Sequence, residues 1–147
     1  MRLLTFDIED YHHLLDIHGL NEQYDVGKSI VESETLRILK MLKTHRVRAI
    51  FFVLGEVAVR FPNVVKAIAS DGHVLGTHSH KHDLHKDLSD KEFVDDLRKS
   101  IQAIERVSGQ KVRCYRAPGF SLQKEQFNRF ELMRAEGIEY DFSLFDG

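Results

Sequence analysis

The sequence has a single cysteine, no apolar run long enough to cross a membrane and no surplus of either charge. A lone Cys114 cannot form an internal disulfide, which fits a reducing compartment. It sits between Arg113 and Tyr115 in a strand-like run and reads as a packed, inert thiol rather than a nucleophile. With 21 basic and 23 acidic residues, net charge -2 and no long like-charge block, the chain carries no electrostatic footprint for nucleic acid or an anionic membrane. Its expected partner is a small or neutral molecule. Met1 to Asp7 offers only four apolar residues before a group of carboxylates, unlike a signal peptide or a membrane anchor, so the expected location is cytoplasmic.

What is present is enough for one core. The chain has 147 residues, 42% of them hydrophobic, with no repeat, low-complexity tract or linker, and reads as one domain over 1–147. Short β-type runs alternate with amphipathic stretches, which argues for βα units on a parallel sheet. The expected strands run from Leu3 to about Glu9, Ala49 to Leu54, His73 to about Thr77, Val112 to Tyr115 and Ile138 to Phe142. Between them fall four expected helices. One starts near Ser29 in a capping box with Glu32 and has Val31, Thr35, Ile38, Leu39 and Leu42 inward. One has Pro62 in its first turn and ends at Gly72. One opens on a box of Ser89 with Glu92, buries Phe93, Leu97, Ile101 and Ile104, and stops at Gly109. The last spans roughly Lys124 to Glu136. The fold class is therefore α/β, and five strands make most of a βα barrel rather than a closed one.

Three polar clusters fall at carboxyl ends of expected strands, where parallel βα folds collect their chemistry. The first is Asp7, Glu9 and Asp10. Period-two alternation aims Asp7 and Glu9 at a common point and leaves Asp10 where strand gives way to loop. Converging carboxylates need a cation or a shared proton, although this trio taken alone reads equally well as an acidic loop. The second is His78-Ser79-His80-Lys81-His82-Asp83-Leu84-His85, which holds four of the nine histidines. A spacing of four lets His78 and His82 reach one ion; His80 and His85 read as solvent-facing or supporting groups. Two imidazoles with a carboxylate suit zinc, cobalt, nickel or iron better than calcium. The third is Arg116-Ala117-Pro118-Gly119-Phe120. Its arginine is suited to a bidentate hold on Asp7, and alone it would pass for a surface arginine beside a proline turn.

Together these motifs resemble the polysaccharide deacetylases of carbohydrate esterase family four, the NodB homology domain. Thr5-Phe6-Asp7-Ile8-Glu9-Asp10-Tyr11 is similar to the subgroup whose first motif has an Asp-x-Glu-Asp-Tyr form. His78-Ser79-His80-Lys81-His82 matches its second motif and Tyr115-Arg116-Ala117-Pro118-Gly119-Phe120-Ser121 its third. The resemblance implies a deformed (β/α) barrel and a divalent metal, zinc above all, held by two histidines and a carboxylate. It implies hydrolysis of an N-acetyl or O-acetyl group on a sugar or polysaccharide precursor. By motif position Asp7 becomes the general base, His78 and His82 metal ligands, Glu9 or Asp10 the third ligand and Arg116 the residue orienting the base. Pro118, Gly119 and Phe120 are expected to border the substrate.

The pattern then breaks. There is no tryptophan, and the last histidine is His85. The family's fourth motif and its C-terminal Leu-x-x-His motif, which supplies the general acid, therefore have no counterpart. The expectation is a fold truncated after about five strands, self-associating as a homo-oligomer, with His12 or His13 as a substitute acid if the chain acts alone. A related amidohydrolase acting on a non-sugar amide, and a non-catalytic metal- or sugar-binding remnant, are the competing readings.

Overall fold

The computed structural model describes residues 3–10, 13 and 29–144. Tyr11 of the first motif and His12 lie outside the described residues. Five parallel strands, β1 (Thr5–Ile8), β2 (Ile50–Val53), β3 (Val74–Thr77), β4 (Cys114–Tyr115) and β5 (Tyr140–Asp141), form one sheet in the order of the sequence. Each strand pairing in parallel with the next means that every right-handed crossover steps the same way, so the helices gather on one face. That is the winding of a barrel wall, as the sequence led one to expect.

The two faces are sorted by alternation along the strands. Phe6, Ile8, Phe51, Val53, Leu75 and Tyr115 belong to the main core under the helices, whereas Ile50, Phe52, Cys114 and Phe142 form a smaller cluster on the opposite, inner face. Thr5, Asp7 and Glu9 alternate with Phe6 and Ile8 and so turn inward. Gly76 shows how tight that inner face is, since a Cβ there would lie 2.7 Å from the Phe52 ring and 3.0 Å from the Cys114 carbonyl. Cys114 is buried, and burial pushes its thiol pKa up, which keeps it in the inert form.

The helices are α1 (Val31–His45), α2 (Gly55–Arg60), α3 (Pro62–Ser70), α4 (Asp90–Ser108) and α5 (Arg129–Ala135). The Ser89–Glu92 capping box at the head of α4 is present, with Ser89 N–H donating to Glu92 Oε2 at 2.8 Å and Glu92 N–H to Ser89 Oγ at 3.3 Å. The expected box at Ser29 is not. Ile30 takes the N-cap position, and Ser29 Oγ only accepts a 3.4 Å bond from Val31 N–H. Pro62 opens α3 as expected, but α2 before it was not foreseen, because Gly55 looks like a stop after β2.

The last two strands are shorter than expected. Successive amides of Glu139 and Tyr140 share the Arg113 carbonyl at 2.9 and 3.0 Å, and this doubling interrupts the ladder before it can extend. The expected helix from Lys124 breaks into a 3-10 turn, Lys124–Gln126, and α5. Buried Arg129 fixes that break by donating to the His85 carbonyl at 2.9 Å, to Asp90 Oδ1 at 3.1 Å and to the Leu88 carbonyl.

Of the two expectations for His85, solvent-facing or supporting, the first is excluded. It is 1% exposed, its Nε2 lies 2.8 Å from the Tyr115 hydroxyl, and its Nδ1 has no hydrogen-bond partner among the described residues. Burial, with Arg129 close by, pushes its pKa down to about 4. An unfolded histidine titrates near about 6.5, so below that pH the unfolded chain takes up a proton that the fold refuses. Stability from this group is therefore complete above about pH 6.5 and declines as pH falls towards about 4, by roughly 3 kcal/mol in all. Urea unfolding between about pH 4 and 7 should show a steeper acid decline for the wild type than for His85→Gln. Equal slopes would remove His85 as the cause.

Candidate metal centre

Three side chains from two strand ends meet on the inner face. Glu9 Oε2 lies 2.6 Å from His82 Nε2 and 3.7 Å from His78 Nε2. The three donor atoms lie within 4.8 Å of one another, and both histidines are buried. His78 Nδ1 is 2.8 Å from the Arg116 carbonyl oxygen, which can only accept, so Nδ1 carries the proton and Nε2 presents a lone pair towards Glu9. Burial alone would raise the Glu9 carboxyl; the His82 hydrogen bond and the charges of His82, His78 and His13 outweigh it and hold the pKa below the ordinary value. Burial lowers the pKa of His78 and so favours the neutral ligand form. A possible metal site of one carboxylate and two imidazoles is thus assembled, and its donor chemistry fits a borderline-soft divalent ion.

Alternation decides the geometry of the acidic trio. Glu9 joins the histidines, and Asp10 does not join that donor group. Asp10 is buried in a turn in which its amide donates to His13 Nδ1 at 2.9 Å and its carbonyl accepts the His13 amide at 3.0 Å. Asp7 turns to the same inner face and is close enough for its charge to act on His78. Arg116 reaches it, though not in the bidentate manner expected. Nη1 donates to Asp7 Oδ1 at 2.8 Å, while Nη2 donates to Thr5 Oγ1 at 3.0 Å. The guanidinium also lies over the Phe52 ring at 4.3 Å and the Phe120 ring at 5.5 Å, contacts that help to hold it in place.

The third motif is braced from β5. Ser143 Oγ accepts from the Ala117 amide at 2.8 Å and donates to Asp141 Oδ1 at 2.6 Å, and Arg116 Nε donates to the Phe142 carbonyl at 3.4 Å. Burial raises the Asp141 pKa even against these bonds. Pro118 is buried and shapes the turn, whereas Gly119 and Phe120 are exposed, with the Phe120 ring beside Arg116. The parts played by Thr5, which stands in the first motif, and by Asp141 and Ser143, which lie at and just past the end of β5, were missed in the sequence. The remaining histidines stand apart. His80 is folded over Gly55, where a Cβ would lie 2.1 Å from its Nδ1. His13 is buried with its ring 6.1 Å from that of His82 and its Nε2 3.9 Å from Glu56 Oε2.

The family profile of the polysaccharide deacetylases matches residues 3–138. This chain belongs to the polysaccharide deacetylase family. It is 39% identical over 84 residues to a peptidoglycan-N-acetylglucosamine deacetylase of Bacillus cereus, covering 57% of this chain and 30% of that protein. A family 4 carbohydrate esterase from Bacillus anthracis superposes with a TM-score of 0.71 at 25% identity, covering 95% of this chain and 57% of that one. A pseudoenzyme of the same esterase family, also from Bacillus anthracis, superposes with a TM-score of 0.70 at 25% identity, covering 95% and 42%. The chain spans less than half the length of these curated relatives, from 22% to 43% of them. None of its described helices is long and apolar enough to cross a membrane.

Proposed function

We propose that the chain carries the metal-binding and base half of a deacetylase that hydrolyses the N-acetyl group of a sugar in a cell-surface polysaccharide or its cytoplasmic precursor. The observation that carries this reading is the meeting of Glu9, His78 and His82 beside an Asp7 held by Arg116. Glu9, His78 and His82 would hold the ion, with zinc the best match to the donor set and cobalt, nickel or iron as substitutes. With such an ion bound, water becomes more acidic and an acetyl carbonyl more electrophilic. Asp7 is the group placed to take a proton from the attacking water. Arg116, bonded to Thr5 and in contact with the Phe52 and Phe120 rings, keeps the Asp7 carboxylate aimed. Gly119 and Phe120 offer a surface for the sugar.

Breaking the C–N bond also requires a proton on the departing amine. His80 is turned onto Gly55 and His85 is sealed against Tyr115, so neither is placed to supply it. This supports a second reading, a metal- or sugar-binding module without turnover, and the pseudoenzyme neighbour shows that the fold does not by itself carry activity. The deciding experiment is metal content together with acetate release from chitin oligosaccharides and peptidoglycan fragments. Metal-dependent acetate release supports the deacetylase. Stoichiometric metal with no release from any acetylated sugar favours the binding module, and release from a non-sugar amide alone points to the amidohydrolase.

The proposal includes self-association. β1 and β5 each pair on one side only among the described residues, and Leu3, Leu4 and Tyr140 beside those edges are exposed. Unpaired edges of this kind invite pairing with another chain. Sedimentation should show a dimer or larger species, and a monomer across a wide concentration range would count against it.

A further inference from the structure

The loop that carries His78 and His82 is backbone-strained, and part of its restraint comes from α4, which carries none of the three motifs. Ser79 and His82 both have φ of 70°, in the left-handed region that side chains with a Cβ rarely adopt. Strain of this sort persists only where surrounding contacts over-determine the backbone. On one side the loop carbonyls are taken up, since the Gly55 and Glu56 amides at the head of α2 donate to the carbonyls of Ser79 and His80 at 2.9 and 3.1 Å. On the other side the His82 amide donates to Ser79 Oγ at 2.9 Å within the loop, and the His80 amide turns to a carboxylate of α4. Asp96, 8% exposed and on the inward stripe of α4, accepts the His80 amide at Oδ2 at 2.8 Å, and the Lys81 amide also reaches it. One turn further along the same stripe, Ser100 Oγ lies 2.6 Å from Thr77 Oγ1 and fixes the strand end from which the loop leaves.

A buried acid is a costly way to anchor a loop, because burial raises its pKa and so disfavours the charged form. An apolar residue of similar size would pack there at less expense but would leave the His80 amide without its acceptor. We propose that Asp96 is the positioning residue of the metal-holding loop, gathering the His80 and Lys81 amides so that Ser79 and His82 stay left-handed and the imidazoles of His78 and His82 stay turned towards Glu9. This rests on the reading of Glu9, His78 and His82 as metal ligands and adds to it a residue that touches neither ion nor substrate. The neighbouring Asp95 serves as the control, because it lies towards solvent on the same helix, with its side chain 48% exposed and 3.8 Å from Arg98.

The test uses cobalt(II), whose visible absorption reports coordination geometry, on the whole chain and on Asp96→Asn, Asp96→Ala, Asp95→Asn and His78→Ala. Amide hydrogen exchange is followed in the metal-free proteins. Expected is a loss of cobalt affinity of about 10- to 100-fold for Asp96→Ala, a smaller loss for Asp96→Asn and an altered band shape in both. His80 and Lys81 should lose exchange protection while Leu97 and Ile101 in α4 keep theirs. Asp95→Asn should match the wild type. Should Asp96→Ala fail to fold, the near-isosteric Asp96→Asn carries the measurement alone. Affinity and spectrum unchanged in the Asp96 variants, with binding abolished in His78→Ala, overturn the positioning role and leave the metal site standing. Loss of exchange protection without any change in affinity overturns it too. A wild type that takes up no cobalt sinks the metal reading and this inference together.

Discussion

Replacing His78 or His82 by alanine is expected to drop metal content from about one ion per chain to near zero, the largest single effect in this molecule. Each histidine is one of three donors lying within 4.8 Å of one another, and no second cluster of that kind occurs among the described residues to take the ion over. The same argument separates the carboxylates. Glu9→Gln should lose the ion, because Glu9 Oε2 is the oxygen 2.6 Å from His82 Nε2, whereas Asp10→Asn should keep it, because Asp10 sits in the turn with His13. Equilibrium dialysis with elemental analysis measures all four. An ion that binds only the folded chain also raises its stability, by about 2.7 kcal/mol at a hundred times Kd, so zinc should lift the melting temperature of the wild type and of Asp10→Asn alone in this set. Equal metal retention in the two histidine variants would end the assignment.

Why the site was legible in the sequence, and its supports were not, follows from what each depends on. Asp7 and Glu9 share an inward phase because a strand alternates, a rule that holds whatever packs around it; Phe6 and Ile8 on the other phase confirm it in the core. His78 and His82 were paired by a spacing of four, yet no helix links them. The loop between them brings the rings to 5.2 Å through two left-handed residues, a geometry that spacing does not encode. Asp96 and Ser143 act on residues 16 and 26 positions away, and such partners become visible only when the chain is folded. The solvent-facing alternative for His85 failed for the same reason. Its polar neighbours in sequence suggest a solvated loop, while Phe93 and Tyr115 from elsewhere enclose it. Lengths failed where one contact overrode propensity, as at Arg129, whose buried guanidinium ends a turn that the amphipathic pattern would continue.

Asp7→Asn is expected to leave the metal in place and to remove hydrolysis. Asparagine keeps the size of aspartate and an oxygen that can still accept from Arg116 Nη1, now 2.8 Å from Asp7 Oδ1, so the inner face should hold its arrangement. What it loses is the ability to take a proton from water. Base catalysis by a positioned side chain contributes about 10²- to 10⁴-fold, and kcat for acetate release should fall by that amount with zinc content unchanged. Arg116→Lys separates aim from basicity. A lysine has one compact charge and cannot span Asp7 and Thr5 while stacking on the Phe52 ring, so kcat should fall by a smaller factor than in Asp7→Asn. The two changes should not be additive, because once the base is gone its orientation no longer matters; the double variant should be as slow as Asp7→Asn and no slower. Loss of zinc in Asp7→Asn would make Asp7 a ligand instead of the base, and an unchanged rate with zinc bound would move the base elsewhere on the inner face.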